Sequence, residues 1–319
     1  MTWTAIWDRS GAHHAPHSPL PQQGQSTFVF EGRLAQGGHD QDLWTGSDIA
    51  NDPFSISQDS HGQLLVRQGS QSKRIDSRRV GPGDPFHLTV SAAPDRRFAL
   101  LHLKNLASGQ SFAVSLDGVA PLQLEDVAPP TTRLAEGTEF AAFANQDAPI
   151  GEFAGFETGT LIDTPFGPRP IESLAIGDIV VTAQGAPARL INTDRREALS
   201  MGAMAAIRMR APYFGLKHDV LLSPYHHVAL SGPEVEYMFG CPTVHAMACD
   251  LVDHVSVQQD FTKQTRILHR LHLDRSGYLG LGRAQVEAGS SDMGDCPRID
   301  RINAHALRAM QDSGRDLLG

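Results

Sequence analysis

Short apolar runs separated by turn-forming residues are the feature that most limits the folds open to this chain. Its 319 residues include 30 glycines and 20 prolines spread along the whole length. They interrupt the apolar runs about every 8 to 12 residues, a spacing typical of all-β proteins. Long amphipathic helical patterns are scarce. In the first part of the chain the pattern predicts six strands, over residues 28–30, 54–56, 64–66, 86–90, 98–103 and 112–116.

Six short strands within about 100 residues predict a β-sandwich or jelly roll. The proline-containing stretch 127–132 interrupts the strand pattern, and a second apolar set begins near Phe153. We therefore predict three parts: a β-sandwich or jelly-roll-like domain over 1–140, a second β domain over 150–290, and a helical tail over 291–319.

The predicted C-terminal helix has recognisable start signals. Asp295 can cap it, and Pro297 suits its first turn because a proline there sacrifices no helical hydrogen bond. Apolar residues then recur at helical spacing, so we expect one face to pack on a sheet. The residues of that face are Ile299, Ile302, Ala306 and Met310.

Composition excludes several classes of function. No run approaches the roughly 18 to 20 apolar residues of a membrane-spanning helix, and the start of the chain lacks the features of a signal peptide. We expect no membrane partner, and a location in the cytoplasm or export without an N-terminal signal peptide. The formal net charge of -9 argues against nucleic acid as a partner. Three cysteines, an odd number, cannot form a disulfide framework.

Two segments of the second domain carry recognisable motifs. Residues 155–182 read GFETGTLIDTPFGPRPIESLAIGDIVVT, which predicts a strand, a Gly-Pro turn, a short helical turn, a Gly-Asp turn and a β-branched strand. Residues 219–230 read DVLLSPYHHVAL, in which a strand ends in a Ser-x-x-His step and then resumes.

These segments resemble the Hint family, the hedgehog and intein autoprocessing fold, and most closely the Hint domains of bacterial proteins. The Gly-Thr, Pro-Ile-Glu-Ser-Leu, Gly-Asp-Ile-Val and Leu-Leu-Ser-Pro-x-His steps occur in the family's order and approximate spacing. Residues 244–252 and 271–275 are also similar, whereas Ser276 stands where the bacterial family often has histidine. The resemblance covers about 150–290 and implies a Hint-type β fold there.

The resemblance also implies a site. In the family, a cysteine at the first residue of the domain attacks the preceding carbonyl and forms a thioester, assisted by a histidine and by a Thr or Ser. The assisting roles fall on His226 and Ser223, and the nucleophile falls on Gly155, which has no side chain. We therefore expect an inactive structural or interaction module. Cysteines occur only far downstream, at Cys241, Cys249 and Cys296.

Two other interpretations stay open. The domain could cleave itself, if Gly155 is a substituted cysteine or if Thr158 or Thr160 acts as the nucleophile. Splicing is not expected, because the chain shows no terminal asparagine followed by a nucleophile. Alternatively, the N-terminal sandwich could bind a protein or a glycan, a suggestion that rests on fold analogy. The residues we expect to line that site are Trp44, Phe54 and His61.

Simpler explanations exist for the same residues. In the simplest explanation, the Ser223 hydroxyl caps a turn and the His226 imidazole donates to a nearby carbonyl, without any catalytic role. The fifteen histidines invite a metal hypothesis, but His269 and His272 would point to opposite faces of a strand. The chain has no His-Glu-x-x-His, Cys-x-x-Cys, Gly-x-Ser-x-Gly or nucleotide-binding motif. We therefore expect neither a metal nor a cofactor.

Overall fold

The computed structural model describes residues 2–14, 25–37, 39–47, 53–92, 97–130, 133–148, 150–275, 277–281, 284–288 and 297–316. Contacts along the chain divide it into two compact units, Met1–Ile150 and Gly151–Gly319. Strands dominate both units, which confirms the predicted all-β class.

The first unit contains two antiparallel sheets. The larger has the order β10-β9-β8-β3-β11-β1-β2 and the smaller the order β4-β5-β6-β7. All six predicted strands are confirmed. The elements are β1 (Ala5–Asp8), β2 (Gly11–His14), β3 (Ser26–Arg33), β4 (Gln41–Thr45), β5 (Phe54–Gln58), β6 (Leu64–Gln68), β7 (Gln71–Ile75), β8 (Pro85–Ala92), β9 (Phe98–Asn105), β10 (Ser111–Asp117), β11 (Thr138–Ala144) and the one-turn helix α1 (Leu124–Val127).

The two sheets of this unit share one apolar core, as a sandwich requires. Alternate residues of each strand face the other sheet, so Phe28 of β3 meets Phe54 of β5 with ring centroids 5.1 Å apart. The expectation that Trp44 and Phe54 line a binding surface is therefore wrong. Both are buried, and Trp44 turns inward beside Leu43 because the β4–β5 register shifts at that point.

The second unit has a seven-stranded sheet, β15-β16-β22-β12-β18-β17-β21, a four-stranded sheet, β20-β19-β24-β23, and the short hairpin β13-β14. A 3₁₀ turn at Ile171–Ser173 occupies the predicted helical turn. The elements are β12 (Phe156–Glu157), β13 (Leu161–Ile162), β14 (Arg169–Pro170), β15 (Ile179–Val181), β16 (Pro187–Leu199), β17 (Ala206–Met209), β18 (Val220–Leu222), β19 (His227–Ser231), β20 (Thr243–Met247), β21 (Val257–Asp260), β22 (Thr265–Leu273), β23 (Tyr278–Leu281), β24 (Ala284–Glu287) and the helices α2 (Pro233–Phe239) and α3 (Arg301–Asp316).

Strand β12 brings the start of the motif segment into the centre of the larger sheet. Phe156 pairs with His269 of β22 on one side and with Leu222 of β18 on the other. The chain just before β12 therefore lies beside the end of β18, where the Ser-x-x-His step begins.

The predicted C-terminal helix is confirmed as α3. Of its predicted buried face, Ile299 just before the helix is buried, whereas Ala306 and Met310 are exposed. Ile302 is 79% exposed, whereas Ala304 and Leu307 are fully buried and α3 packs against α2 and the turn Ala248–Leu251. Asp300 caps the helix by accepting a hydrogen bond from the Asn303 amide at 2.9 Å. The proposed cap Asp295 lies outside the described residues. No helix in the described part of the chain has the length and apolar character needed to cross a membrane.

Candidate functional site

The peptide bond between Ala154 and Gly155 is bound at both its nitrogen and its oxygen. The Gly155 amide donates to Ser223 Oγ at 3.3 Å, and Arg270 Nε donates to the Ala154 carbonyl oxygen at 2.9 Å. The Ser223 amide in turn donates to the Gly155 carbonyl at 2.9 Å. Strands β18 and β22 thus position this peptide from opposite sides.

His226 lies on the same turn as Ser223 and is buried. Its amide donates to the Ser223 carbonyl at 3.2 Å, which closes the turn. Its Nε2 lies 2.7 Å from the Glu287 carbonyl oxygen, and because a carbonyl only accepts, Nε2 carries a proton. The Nδ1 atom is buried without a hydrogen-bond partner, and the Phe156 ring packs against the imidazole at 4.4 Å.

Burial lowers the pKa of the His226 imidazole, because the low-dielectric interior disfavours the charged form. The carbonyl groups of Glu287 and Gly155 act in the opposite direction without reversing the shift. At neutral pH His226 is therefore uncharged, with the lone pair on Nδ1.

Acidification is expected to destabilise the second unit through His226. An unfolded histidine has a pKa near 6.5, and the folded pKa is lower, so below about pH 6.5 the unfolded chain binds a proton that folded His226 does not. The stabilising contribution is complete above that pH and is lost as the pH falls, up to about 1.4 kcal/mol at pH 5.5.

Urea unfolding of the wild type and His226→Gln at pH 7.5, 6.5 and 5.5 measures this loss. We expect a shallower pH dependence in the variant. Burial also lowers the pKa of His269, but His269 is present in both proteins and cancels in the comparison. Parallel pH dependences in the two proteins would contradict the assignment to His226.

No space is left for a side chain at position 155. A Cβ atom built on Gly155 would lie 2.7 Å from Cε1 of Phe153 and 3.0 Å from Cβ of Leu268, closer than non-bonded carbons approach. Phe153 is buried, and the guanidinium carbons of Arg196 and Arg270 lie 4.4 and 4.3 Å from its ring centroid. The aromatic ring occupies the position that a Cβ atom of residue 155 would need.

The other suggested nucleophiles make contacts of their own. Thr158 Oγ1 lies 2.9 Å from His269 Nε2, and Thr160 Oγ1 donates to the Glu157 carbonyl at 2.7 Å. Cys241 and Cys249 are not joined in a disulfide, and Cys296 lies outside the described residues. Within the described ranges, no three His, Cys, Asp or Glu side chains are grouped to hold a metal.

Sequence reasoning proposed Gly155, Ser223 and His226 as site residues, and the structure brings Gly155 into contact with Ser223 on the turn that carries His226. It missed Phe153 and Arg270, because nothing in their spacing connects them with residue 155. The arrangement binds a peptide bond at its oxygen and nitrogen, and residue 155 offers no nucleophile beside its carbon.

Comparisons with known proteins add a family match. Residues 154–288 match the family model described as the Hint domain, which confirms the resemblance seen in the sequence. No curated protein matches the chain.

Three solved structures illustrate the likenesses found. The MchDnaB-1 intein is 13% identical, with a TM-score of 0.29, and the match covers 41% of this chain and 98% of the intein. The LG1-3 region of the laminin alpha2 chain is 12% identical, with a TM-score of 0.28, and the match covers 91% of this chain and 56% of the laminin chain. Arcelin-5, a lectin-like defense protein from Phaseolus vulgaris, is 8% identical, with a TM-score of 0.26, over 42% and 77%.

Proposed function

Residues 154–288 belong to the Hint domain family, and from this premise we propose that the domain does not cleave itself and serves as a structural or interaction module. The observation that carries the proposal is the state of position 155. Gly155 supplies no nucleophile, and the Phe153 ring and Leu268 fill the space beside it. An acyl shift at the Ala154–Gly155 bond has no side chain from which to start.

The assisting residues would then persist for structural reasons. Two hydrogen bonds between Gly155 and Ser223 join the start of β12 to the end of β18. His226 similarly bonds the carbonyl at the end of β24. Buried polar groups that are paired in this way are costly to remove, so their retention requires no catalytic role.

Incubation of the full-length protein with dithiothreitol or hydroxylamine, followed by intact mass spectrometry, tests the proposal. We expect one intact species. Hydroxylamine also cuts Asn-Gly bonds, but the chain contains none, so this side reaction contributes no fragment. A self-cleaving Hint protein treated in parallel serves as the positive control. A fragment pair split between Ala154 and Gly155 would overturn the proposal.

A second candidate, self-cleavage through Thr158, is favoured by one contact. The exposed Thr158 hydroxyl lies 2.9 Å from Nε2 of His269, an imidazole whose pKa burial lowers and which can accept a proton at neutral pH. A hydroxyl that attacks the preceding carbonyl would break the bond between Glu157 and Thr158. The same mass measurement distinguishes the two sites, because the fragments differ by three residues.

The partner of an inactive module is a protein or a glycan in this proposal. The net charge of -9 disfavours nucleic acid. Trp44 and Phe54 cannot contribute to that surface, since both are buried in the sandwich core.

A further inference from the structure

We propose that the site around residue 155 is blocked and otherwise intact: Phe153 fills the space of a nucleophilic side chain, and Arg270 is placed to stabilise negative charge on the Ala154 carbonyl oxygen. This inference rests on the proposed absence of self-cleavage and assigns two residues to its cause. It implies that a thioester-forming site can be restored by two substitutions.

The role of Arg270 follows from its contact with the Ala154 oxygen. Its Nε donates to that oxygen at 2.9 Å, while the nitrogen of the same peptide donates to Ser223 Oγ at 3.3 Å. Attack on a carbonyl carbon moves negative charge onto the oxygen, and a preorganised donor at that point lowers the barrier. A guanidinium supplies both the hydrogen bond and a permanent positive charge.

The role of Phe153 follows from its position and its anchoring. Its ring atoms Cε1 and Cδ1 would lie 2.7 and 3.1 Å from a Cβ at position 155. The two guanidinium carbons near the ring hold it in place through cation–π attraction, so it cannot move aside without losing these contacts. Leu268 Cβ, at 3.0 Å, requires only a shift of a few tenths of an ångström.

The chemistry expected of the Phe153→Ala/Gly155→Cys protein is a thioester exchange. The sulfur introduced at position 155 bonds to the carbonyl carbon of Ala154, the bond from that carbon to the nitrogen of residue 155 breaks, and the thiol proton ends on the leaving amine. A sulfur of dithiothreitol then attacks the thioester carbonyl and releases residues 1–154 as a thioester with dithiothreitol. The thiol at position 155 is regenerated on the C-terminal fragment.

The test compares cleavage rates in dithiothreitol, measured by intact mass spectrometry on full-length proteins. We expect Phe153→Ala/Gly155→Cys to cleave at least about 10-fold faster than Gly155→Cys alone. Adding Arg270→Gln should slow the double variant by about 10²-fold, the usual effect of removing one oxyanion donor. Arg270→Lys, which keeps the charge, should recover part of that loss. Arg196→Gln, added to the same double variant, is the matched control and should change the cleavage rate less than about 3-fold.

Each result decides a separate part of the inference. A folded double variant that is not cleaved, or a Gly155→Cys protein that cleaves equally fast, would overturn the role of Phe153. Equal rates for the Arg270→Gln and Arg196→Gln proteins would overturn the role of Arg270. Cleavage of the wild type would instead contradict the proposed function, so the two failures are distinguishable.

A stability measurement tests the role of Phe153 if the cysteine variants fold poorly. Gly155→Ala should lower the urea midpoint of the wild type through the clash with the ring. The same substitution should have little effect on the midpoint in the Phe153→Ala background. Equal losses in both backgrounds would show that Phe153 does not fill the space.

Discussion

Replacing Arg266 by methionine is expected to lower the free energy of unfolding of the Hint domain by about 3 kcal/mol, because it removes one partner from a buried ionic network. Arg266 is 4% exposed. Its guanidinium donates to Glu157 Oε2 at 2.7 Å, to Ser200 Oγ at 3.0 Å and to the Asp260 carboxylate. Methionine has a similar length but no donor, so both carboxylates lose a buried partner.

The remaining contacts set the size of this effect. Lys263 still pairs with Glu157, at 2.7 Å, and Arg208 still pairs with Asp260. We therefore place the loss at the lower end of the roughly 3 to 5 kcal/mol typical of broken buried pairs. Burial raises the pKa of Asp260, but hydrogen bonds from Thr262 and Arg208 outweigh it and lower that pKa to about 2. Asp260 is therefore ionised throughout a measurement between pH 5 and 7.

Tyrosine signals make the Arg266 measurement specific. All four tyrosines lie in the second unit, at Tyr213, Tyr225, Tyr237 and Tyr278, so near-ultraviolet circular dichroism of tyrosine during urea unfolding reports on that unit. The matched control is Arg275→Met, since the Arg275 side chain is 55% exposed and 3.5 Å from Asp274. The control should change stability by less than about 0.5 kcal/mol. A loss below about 1 kcal/mol for Arg266→Met would contradict the buried-network account.

The strand pattern was predictable because it depends on local chemistry. Glycine and proline are concentrated in the turns between strands, and alternating apolar residues need one buried face. The direction of that face was not predictable for Trp44, because a register shift between β4 and β5 turns both Leu43 and Trp44 inward. For α3, two apolar stripes compete, and contacts with α2 select the one that contains Ala304 and Leu307.

Some contacts of the candidate site were likewise predictable from the sequence, and others were not. The contact of Ser223 with Gly155, on the turn that carries His226, follows from motifs that a sequence displays. Phe153 and Arg270 are separated by more than 100 residues of chain and meet only because β12 inserts between β18 and β22. No periodicity encodes a contact of that kind, so the contacts of Phe153 and Arg270 become visible only in three dimensions.

Replacing Trp44 by alanine is expected to destabilise the first unit by about 3 to 5 kcal/mol, because the indole lies at the centre of an aromatic cluster. Its ring centroid lies 5.4 Å from that of Trp7, 5.8 Å from that of Phe28 and 6.2 Å from that of Phe30. Its Nε1 also donates to the Val127 carbonyl at 3.0 Å, so alanine leaves both a cavity and an unpaired buried acceptor.

Tryptophan fluorescence isolates this effect, because all three tryptophans, Trp3, Trp7 and Trp44, belong to the first unit. The two that remain in Trp44→Ala report its urea unfolding, and Trp44→Phe, which keeps an aromatic ring and loses the donor, should lie between the alanine variant and the wild type. His61→Ala is the exposed control and should stay within about 0.5 kcal/mol of the wild type. A Trp44→Ala protein that unfolds at the wild-type urea concentration would show that the indole is not part of the core.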